Sequence, residues 1–202
     1  MTRIILIRHG ETQTNTKGKI HKYSDSEELT PNGITQIEQA AEALKKEKPS
    51  IILCSQEKRA IQSAKIISTR LDLPFKEVPD LEERNWGDYA GLSFQEIKQR
   101  AGMDNMSFEE RYNFVPPNGE SWKETENRLL KALNKIISDN IGKTVVLVTH
   151  GGSIRIYMPT LLNVSKEESY KYDPDNASIS IFEYKDGKFS KIVYNDTSHL
   201  KN

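Results

Sequence analysis

The sequence is poor in cysteine, because Cys54 is the only one among 202 residues. A single cysteine excludes an intramolecular disulfide and argues against the disulfide-stabilised domains of secreted proteins. Cys54 ends an apolar run, a position that is typical of a small buried hydrophobic residue. We therefore expect a protein of a reducing compartment, the cytoplasm.

The sequence also lacks an excess of charge of either sign, since 29 basic residues balance 29 acidic ones. Basic patches are typical of nucleic-acid-binding domains, so we expect no nucleic-acid partner. The N-terminal apolar stretch, residues 4–7, is too short for a signal peptide or a membrane span and runs directly into Arg8. We expect no membrane partner, and the length favours one domain over residues 1–202.

Apolar runs of the β type alternate along the chain with helical periodicity. The predicted strands cover residues 3–7, 50–54, 75–78 and 144–149. Apolar residues recur at helical spacing in three later stretches, at positions 34, 37, 41 and 44, then 60, 64, 67 and 71, then 122, 129, 133 and 136. Near the C-terminal end, residues 178–184 and 188–194 flank Asp186-Gly187 and predict a hairpin. The pattern predicts an α/β protein with three α/β/α layers and a mostly parallel mixed sheet.

Local signals refine this prediction at three helix ends and in one irregular segment. Ser55 and Ser121 are predicted as N-caps, and Gly142 is predicted to follow the end of a helix. Residues 85–119 contain few periodic apolar side chains and include Pro116-Pro117-Asn118-Gly119. We expect this segment to form a lid-like insertion at the carboxyl ends of the strands, where the substrate is selected.

Two of the four histidines lie at the carboxyl ends of predicted strands and precede glycine. The first lies in the run Arg8-His9-Gly10-Glu11-Thr12, and the second begins His150-Gly151-Gly152. Ligands of open α/β sheets bind at the carboxyl ends of the strands, where the loops converge. Arginine beside histidine favours an anionic substrate.

Two further loops at the same edge carry charged side chains, Arg59 on one and Glu82-Glu83 on the other. Two arginines, two histidines and a carboxylic acid suffice for phosphoryl transfer without a metal. The cations offset charge on the phosphoryl oxygens, one histidine attacks phosphorus, and the acid protonates the leaving oxygen. We therefore expect no metal and no cofactor.

The motifs resemble those of the histidine phosphatase superfamily, which includes the cofactor-dependent phosphoglycerate mutases. The resemblance covers most of the chain and involves the following segments: Arg8 to Thr12 with Asn15, Gly18 to Ile20, Leu29 to Gly33, Cys54 to Ala60, Leu81 to Glu83 with Gly87 and Gly91, Pro117 to Ser121, and Thr149 to Gly152 with Arg155. The resemblance implies a phosphoglycerate mutase-like fold.

The resemblance also implies roles for individual residues. His9 would be the phosphohistidine nucleophile, and Glu83, rather than Glu82, would be the acid and then the base. The phosphate-holding groups would be Arg8, Asn15, Arg59, His150 and the Gly151 amide. We add Thr12 and His21 as candidate substrate-binding residues.

Several positions depart from the family pattern. Gln56 follows Ser55 where proline is frequent, and His21-Lys22 stands where small or amide residues are usual. Phe94 stands where mutases tend to carry a substrate-binding lysine, and the basic pair of their insertion is missing from the sequence. Phe94 and the missing basic pair favour a hydrolase over a mutase.

Other classes of function fit the sequence less well. An esterase lacks support because no Gly-x-Ser-x-Gly motif occurs, and a nucleotide kinase because no Walker-type loop occurs. The histidines also lack the spacing of metal ligands. We expect a phosphomonoesterase that hydrolyses small-molecule phosphate esters, with a phosphoglycerate mutase or a non-catalytic phospho-ligand binding protein as alternatives. The particular ester and the oligomeric state are left open.

Overall fold

The computed structural model describes residues 1–23 and 26–200, and a six-stranded sheet forms its centre. The strands are β1 (Thr2–Arg8), β2 (Ile51–Cys54), β3 (Phe75–Glu77), β4 (Thr144–Thr149), β5 (Ile179–Lys185) and β6 (Lys188–Asp196). Their order across the sheet is β3-β2-β4-β1-β5-β6. The first four strands are mutually parallel, while β5 and β6 form the antiparallel hairpin at one edge. The predicted mostly parallel mixed sheet with a C-terminal hairpin is confirmed.

Helices cover both faces of the sheet, as the sequence predicts. They are α1 (Gln13–Thr16), α2 (Pro31–Leu44), α3 (Lys58–Leu71), α4 (Phe94–Ala101), α5 (Phe108–Asn113), α6 (Trp122–Asp139) and α7 (Gly151–Leu162). Apolar side chains of α2 and α3 join the core on one face, and those of α6 and α7 join the core on the other.

The central strand β1 shows why the sheet needs both layers. Successive side chains of a strand point to opposite faces. Ile4 and Leu6 accordingly belong to the core beneath α6 and α7, while Ile5 and Ile7 belong to the core beneath α2 and α3. All four are fully buried, which accounts for a continuous apolar run instead of an alternating one. Cys54 is buried in the second core, and burial raises the pKa of its thiol to about 12.

The predicted caps are correct at Ser121 and wrong at Ser55. Ser121 caps α6 and forms a reciprocal capping box with Glu124. Helix α3 begins only after Glu57, because Ser55 still belongs to the loop that leaves β2. The hydroxyl of Ser55 instead contacts His150, 95 positions further along the chain. Gly142 lies in the turn after α6 with a φ of 81°, in agreement with its predicted place beyond the helix end.

Residues 85–119 form two short helices, α4 and α5, with 3-10 turns before each of them. The two ends of the segment meet, because the Glu120 amide donates to the carbonyl of Asn85 at 2.9 Å. The segment also pairs with the loop after α1, where Ile20 exchanges backbone hydrogen bonds with Gly91 and Leu92, both at 2.8 Å. This places the insertion beside the loops that leave β1. Its part in substrate selection stays a prediction.

Within residues 1–23 and 26–200, no helix is both long enough and apolar enough to cross a membrane.

Candidate active site

Loops from three adjacent parallel strands bring the predicted residues together. His9 follows β1, Ser55 follows β2 and His150 follows β4, which lies between them in the sheet. The register pairs Arg8 with Thr149, so the two histidines leave neighbouring strands at the same level. Their ring centroids are 5.3 Å apart. The pairing of β1 with β4 therefore places the two imidazoles in one site.

The surroundings of His9 fix which nitrogen of its ring carries the proton. Nδ1 lies 2.8 Å from the carbonyl oxygen of Gly10, and a carbonyl only accepts, so Nδ1 donates. Nε2 therefore keeps its lone pair, and it accepts from Nε of Arg59 at 3.2 Å. Burial, together with the charges of Arg59 and Arg8, lowers the pKa of His9 well below its usual value. The imidazole is neutral at neutral pH and is equipped to act as a nucleophile.

A buried polar cluster supports the second histidine. Nε2 of His150 lies 2.8 Å from Oγ of Ser55 and 3.3 Å from a carboxylate oxygen of Glu57. Glu57 also forms an ion pair with Nη2 of Arg59. Burial and the nearby cations lower the pKa of His150 well below its usual value. Nδ1 of His150 is buried and has no hydrogen-bond partner in the part of the chain that the structure describes.

Glu57 contacts two of the candidate site residues, although the sequence analysis does not identify it. It is 2% exposed and lies two positions before Arg59, in a loop whose serine is assigned as a cap. A carboxylate this deeply buried requires cationic or hydrogen-bonding partners, which here are Arg59 and His150. Its presence in the same run as Ser55 and Arg59 is the only sequence signal for it.

Arg8 and the start of α7 form a positively polarised wall. Nη1 of Arg8 donates to the carbonyl oxygen of Pro174 at 2.6 Å. A Cβ atom on Gly151 would lie 3.4 Å from Nε of Arg8, so the guanidinium packs against this glycine. Gly151 is the first residue of α7, and the N–H groups at a helix start favour anions.

The two adjacent glutamates have different surroundings. The carboxylate of Glu83 accepts from the Gly152 amide at 2.8 Å, which places it at the start of α7 next to His150 and Gly151. The carboxylate of Glu82 lies 4.0 Å from Nη1 of Arg128, on α6. Glu83 is therefore the glutamate that lies beside the two glycines following His150.

The loop after β1 brings Thr12, Asn15 and His21 to the same place. Thr12 caps α1, and its side chain exchanges hydrogen bonds with Asn15 in a capping box. Nε2 of His21 lies 2.8 Å from Oγ1 of Thr12 and 3.0 Å from a carboxylate oxygen of Glu27. The His21 ring meets that of His9 edge-on, with centroids 5.6 Å apart. Burial, Arg59 and Arg8 lower the pKa of His21 to about 3.

Trp86 and Arg155 make their contacts with residues outside this group. Trp86 is buried against Arg84 and Trp122. Arg155 bonds the carbonyl of Tyr172 at 3.2 Å and pairs with Asp173 at 2.8 Å. Within residues 1–23 and 26–200, no group of three or more histidine, cysteine, aspartate or glutamate side chains is arranged to hold a metal ion.

Comparison with known proteins finds relatives that cover nearly the whole chain. The chain is 32% identical over 206 residues to a 2,3-bisphosphoglycerate-dependent phosphoglycerate mutase of Cytophaga hutchinsonii, covering 100% of the chain and 94% of that protein. It is 33% identical to a metal-independent phosphoserine phosphatase of Arabidopsis thaliana, covering 99% and 84%. A phosphoserine phosphatase variant from Entamoeba histolytica, solved with phosphoserine, superposes with a TM-score of 0.82 at 30% identity and 100% coverage of both chains.

The family model of the histidine phosphatase superfamily (branch 1) matches residues 4–197, which include all of the predicted site residues. The relatives comprise both phosphatases and mutases. The paired histidines at adjacent strand ends, with two arginines beside them, are thus found in a chain that belongs to the histidine phosphatase superfamily.

Proposed function

We propose that the protein is a phosphomonoesterase that hydrolyses small-molecule phosphate esters through a phosphohistidine at His9. One observation carries the proposal. Nδ1 of His9 donates to the Gly10 carbonyl, so the lone pair of Nε2 is directed to the side on which Arg59 lies. A buried, neutral imidazole in one fixed tautomer beside a guanidinium is suited to attack an anionic phosphoryl group.

The reaction proceeds in two displacements. Nε2 of His9 attacks phosphorus, the bond between phosphorus and the ester oxygen breaks, and the carboxylic acid of Glu83 gives its proton to the departing alcohol. Water then attacks the phosphohistidine, Glu83 accepts a proton from it, and inorganic phosphate leaves with His9 restored. General acid catalysis of this type contributes about 10²–10⁴-fold when the leaving group is an alkoxide.

Fixed positive groups hold the transferring phosphoryl oxygens. We assign this role to Arg8, Arg59, Asn15, the Gly151 amide and His150. The pKa of His150 is low because of burial and neighbouring cations. A phosphate dianion brought beside it favours the protonated ring, so substrate binding and proton uptake at His150 support each other. Thr12 and His21 line the side of the site that is next to α1.

The comparisons support phosphatase chemistry without selecting a substrate. Two of the similar proteins are phosphoserine phosphatases, one of them metal-independent. The similar mutase keeps phosphoglycerate mutase as the second candidate. Against it, Phe94 replaces the lysine that mutases tend to carry for the carboxylate of their substrate, and its side chain packs edge-on against Trp86.

The test is to trap the phosphoenzyme. Wild type, quenched during turnover of a labelled phosphate ester, should carry an acid-labile and base-stable phosphoryl group. His9→Ala should abolish both the label and turnover, because no other side chain replaces Nε2. His199→Ala is the control, since its ring contacts the carbonyl of Ala177 instead of His9. Substantial hydrolysis by His9→Ala would refute the proposal.

A panel of small phosphate esters, including phosphoserine and 3-phosphoglycerate, then identifies the substrate. Hydrolysis of one or more members of the panel is expected. Tight binding of a phosphorylated ligand with no turnover by wild type would instead support a non-catalytic phospho-ligand binding protein.

A further inference from the structure

A loop far along the chain crosses the end of β1 and contacts the proposed nucleophile. This loop, residues 172–178, precedes β5 and is called the clamp segment below. Nη1 of Arg8 donates to the carbonyl of Pro174 at 2.6 Å, and the Ala177 amide donates to the carbonyl of Arg8 at 3.0 Å. The clamp segment is therefore bound directly to the backbone and side chain that precede His9.

Asn176 in the clamp segment joins two residues of the site. Its Nδ2 lies 3.0 Å from the carbonyl oxygen of His9 and 3.1 Å from Oδ1 of Asn15. A carbonyl oxygen only accepts, so the amide atom of Asn176 that faces His9 is the nitrogen. The same nitrogen donates its second hydrogen to Asn15. These two acceptors therefore determine the orientation of the Asn176 amide.

The amide of Asn15 is fixed by the same reasoning. Its Oδ1 accepts from the backbone N–H of Thr12 at 3.1 Å, and a backbone N–H only donates. Oδ1 also receives the Thr12 hydroxyl and Nδ2 of Asn176, each at 3.1 Å. Three donors converge on this oxygen. Over residues 1–23 and 26–200 no hydrogen bond uses Nδ2 of Asn15, so both of its hydrogens are left for a ligand.

Backbone strain at the next residue indicates that the placement of Asn176 has a cost. Ala177 has a φ of +56°, in the left-handed region that a residue with a Cβ atom rarely adopts. It is fully buried, and its carbonyl accepts from His199 at 3.1 Å. Strain of this kind persists where the surrounding structure imposes it, often at functional sites. Here the strained turn directs the side chain before it toward His9.

We propose that Asn176 is a positioning residue that holds the amide of Asn15 with Nδ2 facing the phosphoryl group. The proposal rests on the function proposed above, since Asn15 is one of the phosphate-holding groups there. Asn176 acts through Asn15, and its hydrogen bond to the carbonyl of His9 holds the Asn176 amide in place. Without its donor, Oδ1 of Asn15 keeps only the two donors of Thr12, so the amide is held less firmly with Nδ2 facing the phosphoryl group.

Two substitutions separate loss of the donor from its reversal. Asn176→Ala removes the donor and should lower kcat/KM by about 10-fold, at the upper end of the range for a hydrogen bond between neutral groups. Asn176→Asp keeps the shape but faces Asn15 with an acceptor. The new carboxylate should attract the Asn15 nitrogen and so oppose the orientation that Thr12 favours, and kcat/KM should fall by about 100-fold. An aspartate variant as active as wild type would overturn the proposal.

A double-mutant cycle distinguishes positioning from a general structural role. In an Asn15→Ala background, Asn176→Ala should change kcat/KM by less than about 2-fold, because the group that it positions is gone. Equal losses in both backgrounds would refute the proposal. The affinity for inorganic phosphate, measured by calorimetry, should show the same non-additivity without any turnover. A wild type that forms no phosphohistidine would therefore refute the proposed function alone.

Asn195→Gly is the matched control variant. Asn195 anchors the outer end of the clamp segment through hydrogen bonds with Asp175, both at 2.8 Å, and contacts neither Asn15 nor His9. Its φ is +53°, a conformation that glycine adopts freely. This variant should lose stability to urea while keeping phosphate affinity within about 2-fold of wild type. If Asn195→Gly lost as much affinity as Asn176→Ala, Asn176 would have only a structural role in holding the clamp segment.

Discussion

The carboxylate of Glu83 accepts a hydrogen bond from the backbone N–H of Gly152 at 2.8 Å. Its second oxygen accepts from the N–H of Arg84 at 2.9 Å. A Cβ atom on Gly152 would lie only 2.4 Å from Oε1 of Glu83, a distance that forces one of the two groups to move. Glycine at this position therefore lets a carboxylate approach the start of α7.

Gly152→Ala should lower activity while leaving the protein folded. Alanine favours a helix by about 1 kcal/mol over glycine, which offsets part of the local strain. The added methyl group displaces the Glu83 carboxylate from its place beside α7. We expect kcat for an alkyl phosphate to fall at least about 10-fold with little change in Tm. Full activity in this variant would show that Glu83 acts from another position.

The two glutamates provide a matched pair for testing the proton donor. Glu83→Gln should slow hydrolysis of alkyl phosphates by about 10²–10⁴-fold, because an alkoxide leaves poorly without a proton. It should spare the phosphorylation step with nitrophenyl phosphate, whose leaving group needs little protonation. Glu82→Gln should change either rate little, since Glu82 faces Arg128. Exchanged effects of the two substitutions would assign the acid to Glu82.

An oxyanion and a chelator test the charge arrangement of the site. The proposed stabilisation comes from Arg8, Arg59 and His150, so activity should persist in excess chelator. Vanadate should inhibit competitively, because it resembles the phosphoryl group in transfer. Activity that is lost in chelator and restored by Mg²⁺ or Zn²⁺ would contradict this arrangement.

Strand ends and the helices that follow them are predictable from the sequence because their signals are local. The runs before His9 and His150 are apolar without alternation, which identifies buried parallel strands. Contacts between distant loops give no such signal. The order of the strands in the sheet determines the contact between Ser55 and His150 and the position of Glu57. From the sequence alone, Ser55 is therefore predicted as a helix cap.

Asn176 is a second residue whose contacts at the site give no local signal in the sequence. It precedes β5, the one antiparallel neighbour of β1, and reaches His9 only because those two strands pair. The separation of 167 positions leaves no local pattern by which to identify it. By contrast, Thr12 and Asn15 lie within one short capped turn, and their proximity to His9 follows from the sequence alone.

Stability should fall steeply below pH 6.5. Burial and nearby cations lower the pKa values of His9, His21 and His150 in the folded protein, whereas the unfolded chain takes up protons near 6.5. Below that pH the unfolded state binds more protons, so the free energy of unfolding decreases as the pH falls. Each such histidine contributes up to about 1.4 kcal/mol per pH unit. Urea unfolding at pH 7.5, 6.5 and 5.5 measures the slope.

His21→Asn isolates one of these contributions. The pKa of His21 is about 3, so its effect extends from pH 6.5 down to about 3. The slope of stability against pH in this window should decrease by about 1.4 kcal/mol per pH unit, whatever the change in absolute stability. An unchanged slope would mean that His21 protonates equally in the folded and unfolded protein.

Hydrolysis should prevail over mutase activity with phosphoglycerate. A mutase must hold the non-reacting carboxylate of its substrate while the phosphoryl group stays on the enzyme. Phe94, the first residue of α4 and 43% exposed, supplies no charge for it. A carboxylate without its charged partner loses about 1.5–3 kcal/mol, or one to two decades of affinity. Water should therefore reach the phosphohistidine before the product reorients.

A coupled assay with 3-phosphoglycerate measures both outcomes at once. Wild type should release inorganic phosphate with little conversion to 2-phosphoglycerate. Phe94→Lys should lower KM for 3-phosphoglycerate by about 10-fold, because the ammonium group offsets the carboxylate, while Phe94→Leu should leave it unchanged. Interconversion by wild type much faster than phosphate release would make the protein a mutase, and Phe94 would then have no part in excluding that activity.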